Sequence, residues 1–382
     1  MIVSGPWLAR PATQRVLRML ANAGHQAYAV GGCVRNQLLG LPVADVDIAT
    51  DALPDQVLAL AGQTGLKAVP TGLEHGTITV VAGDTGFEVT TFRADVQTDG
   101  RHAVVAFSTS LEADARRRDF TINALYVSAD GQVQDPLNGL RDIQARRVRF
   151  IDDPTARITE DYLRILRFFR FQAWFGDPSE GIDAEALAAC AEQADGIENL
   201  SKERIGAEMA KLLAAPDPAP ALASMQMTGI LARVLPGANA NTLAPLVHWE
   251  AVYHLQPDWI RRLAALGGQD QTDALRLSRL ARQRLSILQA GIGSPDSIPE
   301  YAYRHDAETA CDIALLRAAI LNMPPPQTLL TDCADAAAQV FPVKAQDLMP
   351  AYTGPALGKH LTTLEKRWIA SGFRLTKAQL LA

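Results

Sequence analysis

A double glycine followed by two closely spaced aspartates constrains this chain most. Gly31 and Gly32 come directly after the apolar run 27–30, which predicts a strand that stops abruptly. Glycines at such a turn let backbone N–H groups come close to a phosphate. Asp45 and Asp47 lie two residues apart in a short extended segment, so their side chains point to the same side and can share metal ions. The pattern indicates phosphoryl chemistry.

Several other classes of protein do not fit the composition or the motifs. No Gly-Lys-Ser or Gly-Lys-Thr follows the glycines, which excludes a P-loop, and no G-x-G-x-x-G follows a predicted strand. The four cysteines contain no C-x-x-C pair, so we expect neither a zinc ribbon nor disulfides, and a reducing cytoplasm fits. No apolar run of about 18 residues predicts a membrane span. The formal net charge is −6, so any RNA-binding surface must be local.

The N-terminal part of the chain has an α/β pattern. Residues 12–23 are amphipathic and predict a first helix, although the basic composition before Asp45 is also typical of an organelle transit peptide. Residues 34–39 predict a helix whose N-terminus faces the glycine turn and favours a triphosphate there. A further helix is expected over 54–61. Strands of a mixed or antiparallel sheet are expected over 67–69, 77–81 and 87–91.

Three positions in this region are candidates for phosphate or metal binding. Arg35 lies in the first turn of the helix after the glycines, where it can contact phosphate or be an ordinary surface arginine. Glu88, on the last predicted strand, can complete a metal site with the aspartate pair or be an exposed sheet residue. The arginine run 116–118 can be a solvated face or can direct one guanidinium at a triphosphate.

From residue 153 onwards the pattern is helical. Residues 155–175 predict one long helix on which Asp161, Arg164 and Arg167 share a face. An aspartate offers acceptors and an arginine offers donors, so such a pair can match the Watson–Crick edge of a base. The spacing by itself favours a surface ion pair instead. The proline-rich segment 216–220 predicts a boundary.

These motifs together resemble those of the class II CCA-adding enzymes, within the bacterial tRNA nucleotidyltransferase and poly(A) polymerase family. The resemblance is close over residues 27–213 and loose in the C-terminal third, chiefly at 357–373. The matching segments, in the family's order, are GGCVRNQLLG with DVDIAT, FEVTTFR, RRRDFTINAL, DPLNGLRDI, EDYLRILRFFRF and SKERIGAEM.

The resemblance implies three domains and a reaction. An α/β nucleotidyltransferase head of the polymerase-beta-like type, with a mixed sheet, is expected over residues 1–150. An all-helical neck that recognises the base follows over 151–215, and a helical body and tail that bind tRNA follow over 216–382. The implied reaction transfers CMP and AMP from CTP and ATP to the tRNA 3′ end with two Mg²⁺ ions. No obligate protein partner is implied.

The resemblance also assigns the candidate residues. Asp45 and Asp47 are expected to hold the magnesium ions, with Glu88 as the third carboxylate. The family usually has Val-Arg-Asp where this chain has Asn36 as the third residue, and since Asn keeps the size and an acceptor we expect activity to survive. Nucleotide contacts are expected from Gly32, Arg35, Arg118, Asp161, Arg164, Arg167 and Arg170, the last lying on the far side of an ideal helix from Asp161.

Alternatives stay open at this point. A poly(A) polymerase shares the head motifs, although the segment 71–77 looks more like the CCA-adding branch. An enzyme that adds only CC generally lacks part of the loop before the arginine run, whereas 93–112 is full-length here, and an A-only enzyme is a further possibility. A tRNA-binding protein without activity is opposed by the intact carboxylates. A metal-dependent hydrolase at His305-Asp306 lacks suitable partner residues.

Overall fold

The computed structural model describes residues 1–99 and 102–382 and divides into two compact units. The first unit contains Met1–Glu208 and Met227–Val234. The second contains Met209–Gln226 and Leu235–Ala382. The predicted head, 1–150, lies entirely in the first unit. The predicted division into head, neck and body at 150 and 215 stays a prediction.

A mixed seven-stranded sheet with the order β3-β4-β5-β2-β1-β8-β9 forms the base of the first unit in the described residues. β2 and β5 are parallel, whereas the other neighbours in this sheet are antiparallel. β6 and β7 pair antiparallel as a separate two-stranded sheet within the segment 93–112 considered above, and residues 100 and 101 of that segment lie outside the described residues. The strands are β1 (Ala27–Val30), β2 (Asp47–Thr50), β3 (Lys67–Gly72), β4 (Thr77–Ala82), β5 (Thr85–Thr91), β6 (Arg93–Asp99), β7 (His102–Phe107), β8 (Tyr126–Val127) and β9 (Val133–Gln134).

Ten α-helices of the described residues begin before residue 213, some before or between the strands of the sheet in chain order and some after them. The predicted first helix is confirmed as α2, which buries Val16, Leu17 and Leu20 completely. An amphipathic stripe of this kind is stabilised mainly by such packing. The helices are α1 (Pro6–Ala9), α2 (Pro11–Asn22), α3 (Gly32–Leu38), α4 (Pro54–Gln63), α5 (Leu111–Arg116), α6 (Gly139–Gln144), α7 (Pro154–Glu160), α8 (Leu163–Phe175), α9 (Ala184–Glu192) and α10 (Lys202–Leu213).

The single helix predicted over 155–175 is wrong, because α7 ends at Glu160 and α8 begins at Leu163. Asp161 has an extended backbone, with φ −154° and ψ 104°, and its Oδ1 accepts the N–H of Leu163 at 3.1 Å. The ring of Tyr162 lies directly against Gly196, where an added Cβ would be 1.9 Å from the ring. A local aspartate cap and this packing contact override the helical periodicity.

The second unit is helical throughout. It contains α13 (Leu243–Val252), α14 (Trp259–Leu266), α15 (Gln271–Ala274), α16 (Arg279–Gly293), α17 (Ile298–Arg304), α18 (Ala307–Leu321), α19 (Leu329–Ala337), α20 (Gly354–Ala370) and α21 (Lys377–Leu381). Before these, α11 (Ala219–Met227) belongs to the second unit except for Met227, and α12 (Ile230–Val234) belongs to the first unit. In the part of the chain that the structure describes, no helix is long and apolar enough to cross a membrane.

A buried ion network joins three helices of the second unit. Arg261 donates to Glu250 at 2.8 Å and to Asp312 at 2.6 Å, and Arg262 donates to the other oxygen of Glu250 at 2.7 Å. All four side chains are nearly inaccessible to solvent. Arg262 also donates to the carbonyl of Leu213 at 2.7 Å. Because a buried charge is costly without its partner, Glu250 is essential to this core.

We therefore expect Glu250→Gln to lower the free energy of unfolding by about 3–5 kcal/mol, since it leaves two buried guanidinium groups undercompensated. Urea denaturation followed by circular dichroism measures the change. The control is Glu308→Gln, which removes an exposed partner of Arg284 and should cost under about 1 kcal/mol. Equal effects of the two substitutions would contradict this account of the core.

Candidate active site

The glycine turn after β1 requires a residue without a side chain. Gly31 has φ +73°, a conformation that favours glycine. A Cβ added to Gly31 would lie 3.4 Å from a guanidinium nitrogen of Arg118 and 3.7 Å from the carbonyl oxygen of Asn123. Gly32 begins α3, and a Cβ there would lie 3.7 Å from the guanidinium of Arg35. The turn thus brings the backbone close to two arginines.

A cavity of about 450 Å³ opens beside this turn within the first unit. Arginines outnumber aspartates in its lining, so the wall has an excess of positive charge that suits a polyanion. The lining residues are Gly31, Gly32, Arg35, Asp47, Arg93, Asp114, Arg117, Arg118, Asp119, Asn123, Asp161, Leu163, Arg164, Arg167, Phe171 and Arg204.

Three carboxylates lie on or next to two interior strands of the sheet, with Asp45 just before β2, Asp47 at its first residue and Glu88 on β5. β2 and β5 pair in parallel with Ile48 opposite Val89, so Asp47 lies beside Glu88. Both residues are exposed, as is Asp45, whereas the intervening Val46 is buried, as expected for an extended segment. Of the three, Asp47 is the one that lines the cavity.

The surroundings of Asp47 disfavour its ionised form. Partial desolvation by the surrounding groups, followed by the charge of Glu88 and then that of Asp45, raises the pKa of Asp47, while Arg118 opposes the change. Among the described residues, no group of three His, Cys, Asp or Glu is close enough to hold a metal ion. The carboxylates thus repel one another without forming a complete metal site by themselves.

Arg35 is almost completely buried in α3, although it lines the cavity. Its Nη1 donates to Asn123 Oδ1 at 2.5 Å, and its Nη2 donates to Asn36 Oδ1 at 2.9 Å. Asn36, where the resembled family usually has Asp, therefore still supplies an acceptor to this arginine. Burial, which the positive charge of Arg170 reinforces, lowers the pKa of Arg35 to about 10, although Asp119 opposes the change.

Arg118 follows α5 and points into the cavity. It donates to Asp114 Oδ2 at 3.0 Å and to the Tyr126 hydroxyl at 3.1 Å. Tyr126 in turn donates to the same Asp114 oxygen at 2.8 Å. These contacts fix the guanidinium beside the glycine turn.

Asp161 and Arg164 both line the cavity. Asp161 lies between α7 and α8, and Arg164 lies in the first turn of α8, so the two residues do not share the face of one helix. Asp161 Oδ2 accepts from Arg204 at 2.8 Å. Arg164 donates to Glu160 at 2.5 Å and to the Arg157 carbonyl at 2.7 Å. Neither side chain uses all of its hydrogen-bonding capacity in these contacts.

The structure separates Arg167 from Arg170. Arg167 lines the cavity and its Nε donates to Asp119 Oδ2 at 2.9 Å. Arg170 is absent from the cavity lining and donates to the buried Glu208 at 2.6 Å. The direct contact between Arg170 and a nucleotide that the resemblance implied thus has less geometric support than the contact assigned to Arg167.

Sequence reasoning missed several residues of the cavity, among them Asp119, Asn123, Arg204 and Phe171. Asp119 and Asn123 lie four residues apart in the quoted segment RRRDFTINAL, and Arg204 lies in SKERIGAEM. Phe171 was not distinguished from the apolar residues of α8. Charged residues within the quoted motifs were a usable signal for the first three, whereas the role of Phe171 depends on three-dimensional contacts.

The site combines the features that binding of a nucleoside triphosphate requires. Arginines can neutralise phosphates, the carboxylates at β2 and β5 can attract a cation, and an Asp–Arg pair can hydrogen-bond to a base. Together with the mixed sheet, these features define a nucleotide-binding enzyme site.

Comparisons with known proteins agree with that class. Residues 27–149 match the model of the poly A polymerase head domain, and residues 181–241 match that of a probable RNA- and SrmB-binding site of polymerase A. The mitochondrial CCA tRNA nucleotidyltransferase 1 of Mus musculus is 32% identical over 381 residues, covering 95% of this chain and 87% of the relative. The CCA-adding enzyme of Geobacillus thermodenitrificans is 35% identical over 322 residues, covering 81% and 78%.

Solved structures give the same result. The CCA-adding enzyme of Bacillus stearothermophilus in complex with CTP has a TM-score of 0.72 at 26% identity, covering 97% of this chain and 94% of that one. The Thermotoga maritima enzyme complexed with tRNA_CCA has a TM-score of 0.71 at 17% identity, covering 99% and 95%, which supports the fold. This chain belongs to the CCA-adding tRNA nucleotidyltransferase family.

The raised pKa of Asp47 predicts that Asp47→Asn stabilises the fold at neutral pH. A carboxyl with a raised folded-state pKa binds more protons in the folded than in the unfolded state, so the free energy of unfolding falls as pH rises from the ordinary value of 3.8 through the raised value. Asparagine removes this penalty. At pH 7.5 we expect a gain in Tm of about 1–2 °C, after allowance for solvent screening.

Differential scanning calorimetry without added metal tests this expectation. The gain should shrink at pH 4.5, where part of the Asp47 population is already protonated. Asp84→Asn, in the exposed turn between β4 and β5, is the control and should not show the same pH-dependent gain. A loss of Tm in Asp47→Asn at pH 7.5 would contradict the predicted repulsion.

Proposed function

We propose that this chain adds CCA to the 3′ end of tRNA, transferring CMP and AMP from CTP and ATP with release of pyrophosphate. The observation that carries the proposal is one cavity lined by Asp47, an arginine-rich wall and the pair Asp161 and Arg164. Family membership supports the reaction class. The bound CTP and tRNA_CCA named for the solved complexes belong to those proteins, and we extend them to this chain as substrates.

The triphosphate is proposed to lie along the glycine turn. Gly32, Arg35 and Arg118 are the nearest groups of suitable chemistry, since all three line the cavity. A guanidinium can donate two parallel hydrogen bonds to phosphate oxygens. Arg118 is held by Asp114 and Tyr126, so little conformational freedom is lost when a nucleotide binds.

Asp45, Asp47 and Glu88 are proposed to hold Mg²⁺. Their oxygen donors suit this ion, and a cation would offset both the desolvation and the repulsion by Glu88 and Asp45 that raise the pKa of Asp47. Magnesium usually takes one or two carboxylates together with water and substrate phosphates, so an incomplete protein site is the expected arrangement. Bound Mg²⁺ would supply charge stabilisation for the attacking hydroxyl and the departing pyrophosphate.

The base is proposed to be read by Asp161 and Arg164. The carboxylate can accept from the exocyclic amino group that cytosine and adenine share, while the guanidinium donates to a ring acceptor. Arg204 fixes Asp161, and Glu160 fixes Arg164. Arg167 is held farther along α8 by Asp119, so we propose that it supports the nucleotide from the same helix.

In the reaction the 3′ hydroxyl of tRNA loses its proton to solvent and its oxygen forms a bond to the α-phosphorus. The bond between the α-phosphorus and the oxygen that bridges to the β-phosphate breaks, and pyrophosphate leaves. The chain's own contribution is to position both substrates and to neutralise the charge that moves onto pyrophosphate. Arginines already fixed in the cavity wall can do this without large rearrangement.

Two further assignments stay proposals. Residues 216–382 are proposed to bind tRNA, supported by exposed basic residues on α20 such as Lys359, Lys366 and Arg367. A cytoplasmic location is proposed on the four free, buried cysteines, which fit a reducing compartment.

The first experiment extends three tRNA transcripts that end at the discriminator base, at the first C and at CC. Each is incubated with labelled CTP or ATP and Mg²⁺, and the products are read on a sequencing gel. Addition that completes CCA and stops supports the proposal. An unbounded A ladder would indicate a poly(A) polymerase, CC alone or A alone would indicate a partial enzyme, and no extension would indicate a binding protein.

Base selection gives a sharper prediction. Asp161→Ala should lower kcat/KM for CTP and ATP by about 10- to 100-fold, the value of one paired base contact, and should raise the relative use of UTP. Single-nucleotide extension with each of the four triphosphates measures both effects. The control is Asp177→Ala, whose carboxylate binds Ser179 outside the cavity. Unchanged selectivity in Asp161→Ala would remove Asp161 from the base site.

A further inference from the structure

One aromatic ring of α8, that of Phe171, lies close to three arginines. The guanidinium carbons of Arg170, Arg35 and Arg167 lie 4.5, 5.1 and 5.4 Å from the centroid of the Phe171 ring. Phe171 is 3% exposed and lines the cavity. Three like charges at one buried ring need a physical explanation, because they repel one another at these distances.

Two of the three cations have a carboxylate partner. Arg167 is paired with Asp119, and Arg170 with Glu208. The side-chain hydrogen bonds of Arg35 go instead to the amide oxygens of Asn36 and Asn123, which carry no charge. Arg35 is thus held by neutral acceptors.

The aromatic contacts of Arg35 stabilise its positive charge in place of a carboxylate partner. Its guanidinium carbon lies 4.1 Å from the Phe175 ring centroid in addition to the contact with Phe171. The negative face of an aromatic ring attracts a cation, more strongly when both are withdrawn from water. Unlike a carboxylate, the ring leaves the positive charge uncancelled. Arg35 therefore keeps its full charge for an anion in the cavity.

We propose that Phe171 and Phe175 form an aromatic seat that positions Arg35, and through Phe171 also Arg167, for the triphosphate. The proposal rests on the proposed function, because it deepens the assignment of the triphosphate site. Both rings belong to α8, the helix that also carries Arg164. One helix would thus fix the cations for the phosphates and the donor for the base. Phe171 and Phe175 are positioning residues that act through the arginines.

The alternative is that both phenylalanines only fill the core. Phe168, one turn earlier on α8, serves as the matched control, because it is fully buried and packs against the rings of Phe150 at 5.5 Å and Phe169 at 5.4 Å. Phe168→Leu should destabilise the fold about as much as Phe171→Leu, since both remove a buried ring. A packing role alone predicts the same effect of both on nucleotide binding.

The test measures dissociation constants of CTP, ATP and inorganic triphosphate by calorimetry on the full-length protein, with Mg²⁺ present. We expect Phe171→Leu to weaken all three by about 10-fold, the value of one or two desolvated cation–π contacts. The ratio of the dissociation constants of CTP and ATP should not change. Phe171→Tyr should restore binding to within about 3-fold, because it retains the ring. Phe168→Leu should bind like the wild type.

Normal binding of inorganic triphosphate by Phe171→Leu, or equal weakening by Phe168→Leu, would overturn the proposal. If Phe171→Leu does not fold, Phe175→Leu at the end of α8 replaces it, with a smaller expected loss of affinity and the same criteria. Wild-type protein that binds triphosphate but does not extend tRNA would refute the proposed function and leave the aromatic seat intact. Wild-type protein that binds no triphosphate would refute both.

Discussion

The carboxylate of Asp119 connects α3 and α8, the helices that carry Arg35 and Arg167. One oxygen accepts the backbone N–H of Phe120 and the side chain of Asn123, both at 2.8 Å, while the other is gripped by Arg167. Burial would raise the pKa of this acid, but the charge of Arg167 and these hydrogen bonds lower it overall. Because Asn123 also binds Arg35, one ionised carboxylate fixes groups on both α3 and α8.

The other charged residues of the cavity differ in whether a partner of opposite charge balances them. Arg118 and Arg167 have carboxylate partners, whereas Arg35 is bound by amides and aromatic rings. At the start of β2, Asp47 is subject to desolvation and to repulsion by Glu88 and Asp45, which Arg118 offsets only in part. Incompletely compensated charges of both signs in one cavity are costly to the protein alone. They are the features that a nucleotide with its cation would stabilise.

The sequence predicted most of the architecture for identifiable reasons. The glycine turn, α2 and the strands over 27–30, 67–69, 77–81 and 87–91 each carry a strong local pattern, and the structure confirms them. The two-residue strands β8 and β9 carry no such pattern and were not predicted. The single helix over 155–175 was wrong because its interruption depends on a distant contact between Tyr162 and Gly196. The partners of Arg167 and Arg170 were likewise hidden, since Asp119 and Glu208 lie 48 and 38 residues away in the chain. Periodicity indicates which face is apolar, but it does not identify the opposing residue.

The interruption between α7 and α8 has a consequence for how one protein could accept two different bases. Asp161 and Tyr162 lie between the two helices, and Asp161 has an extended backbone. Its backbone N–H donates to Ile158, its carbonyl accepts from Arg164 and its Oδ1 accepts from Leu163, so a movement of the carboxylate would change these end contacts and not the hydrogen bonds deeper in either helix. Within the proposed function, a purine and a pyrimidine could then be matched by adjusting a single peptide link, while the arginines on α8 keep the phosphates in one place.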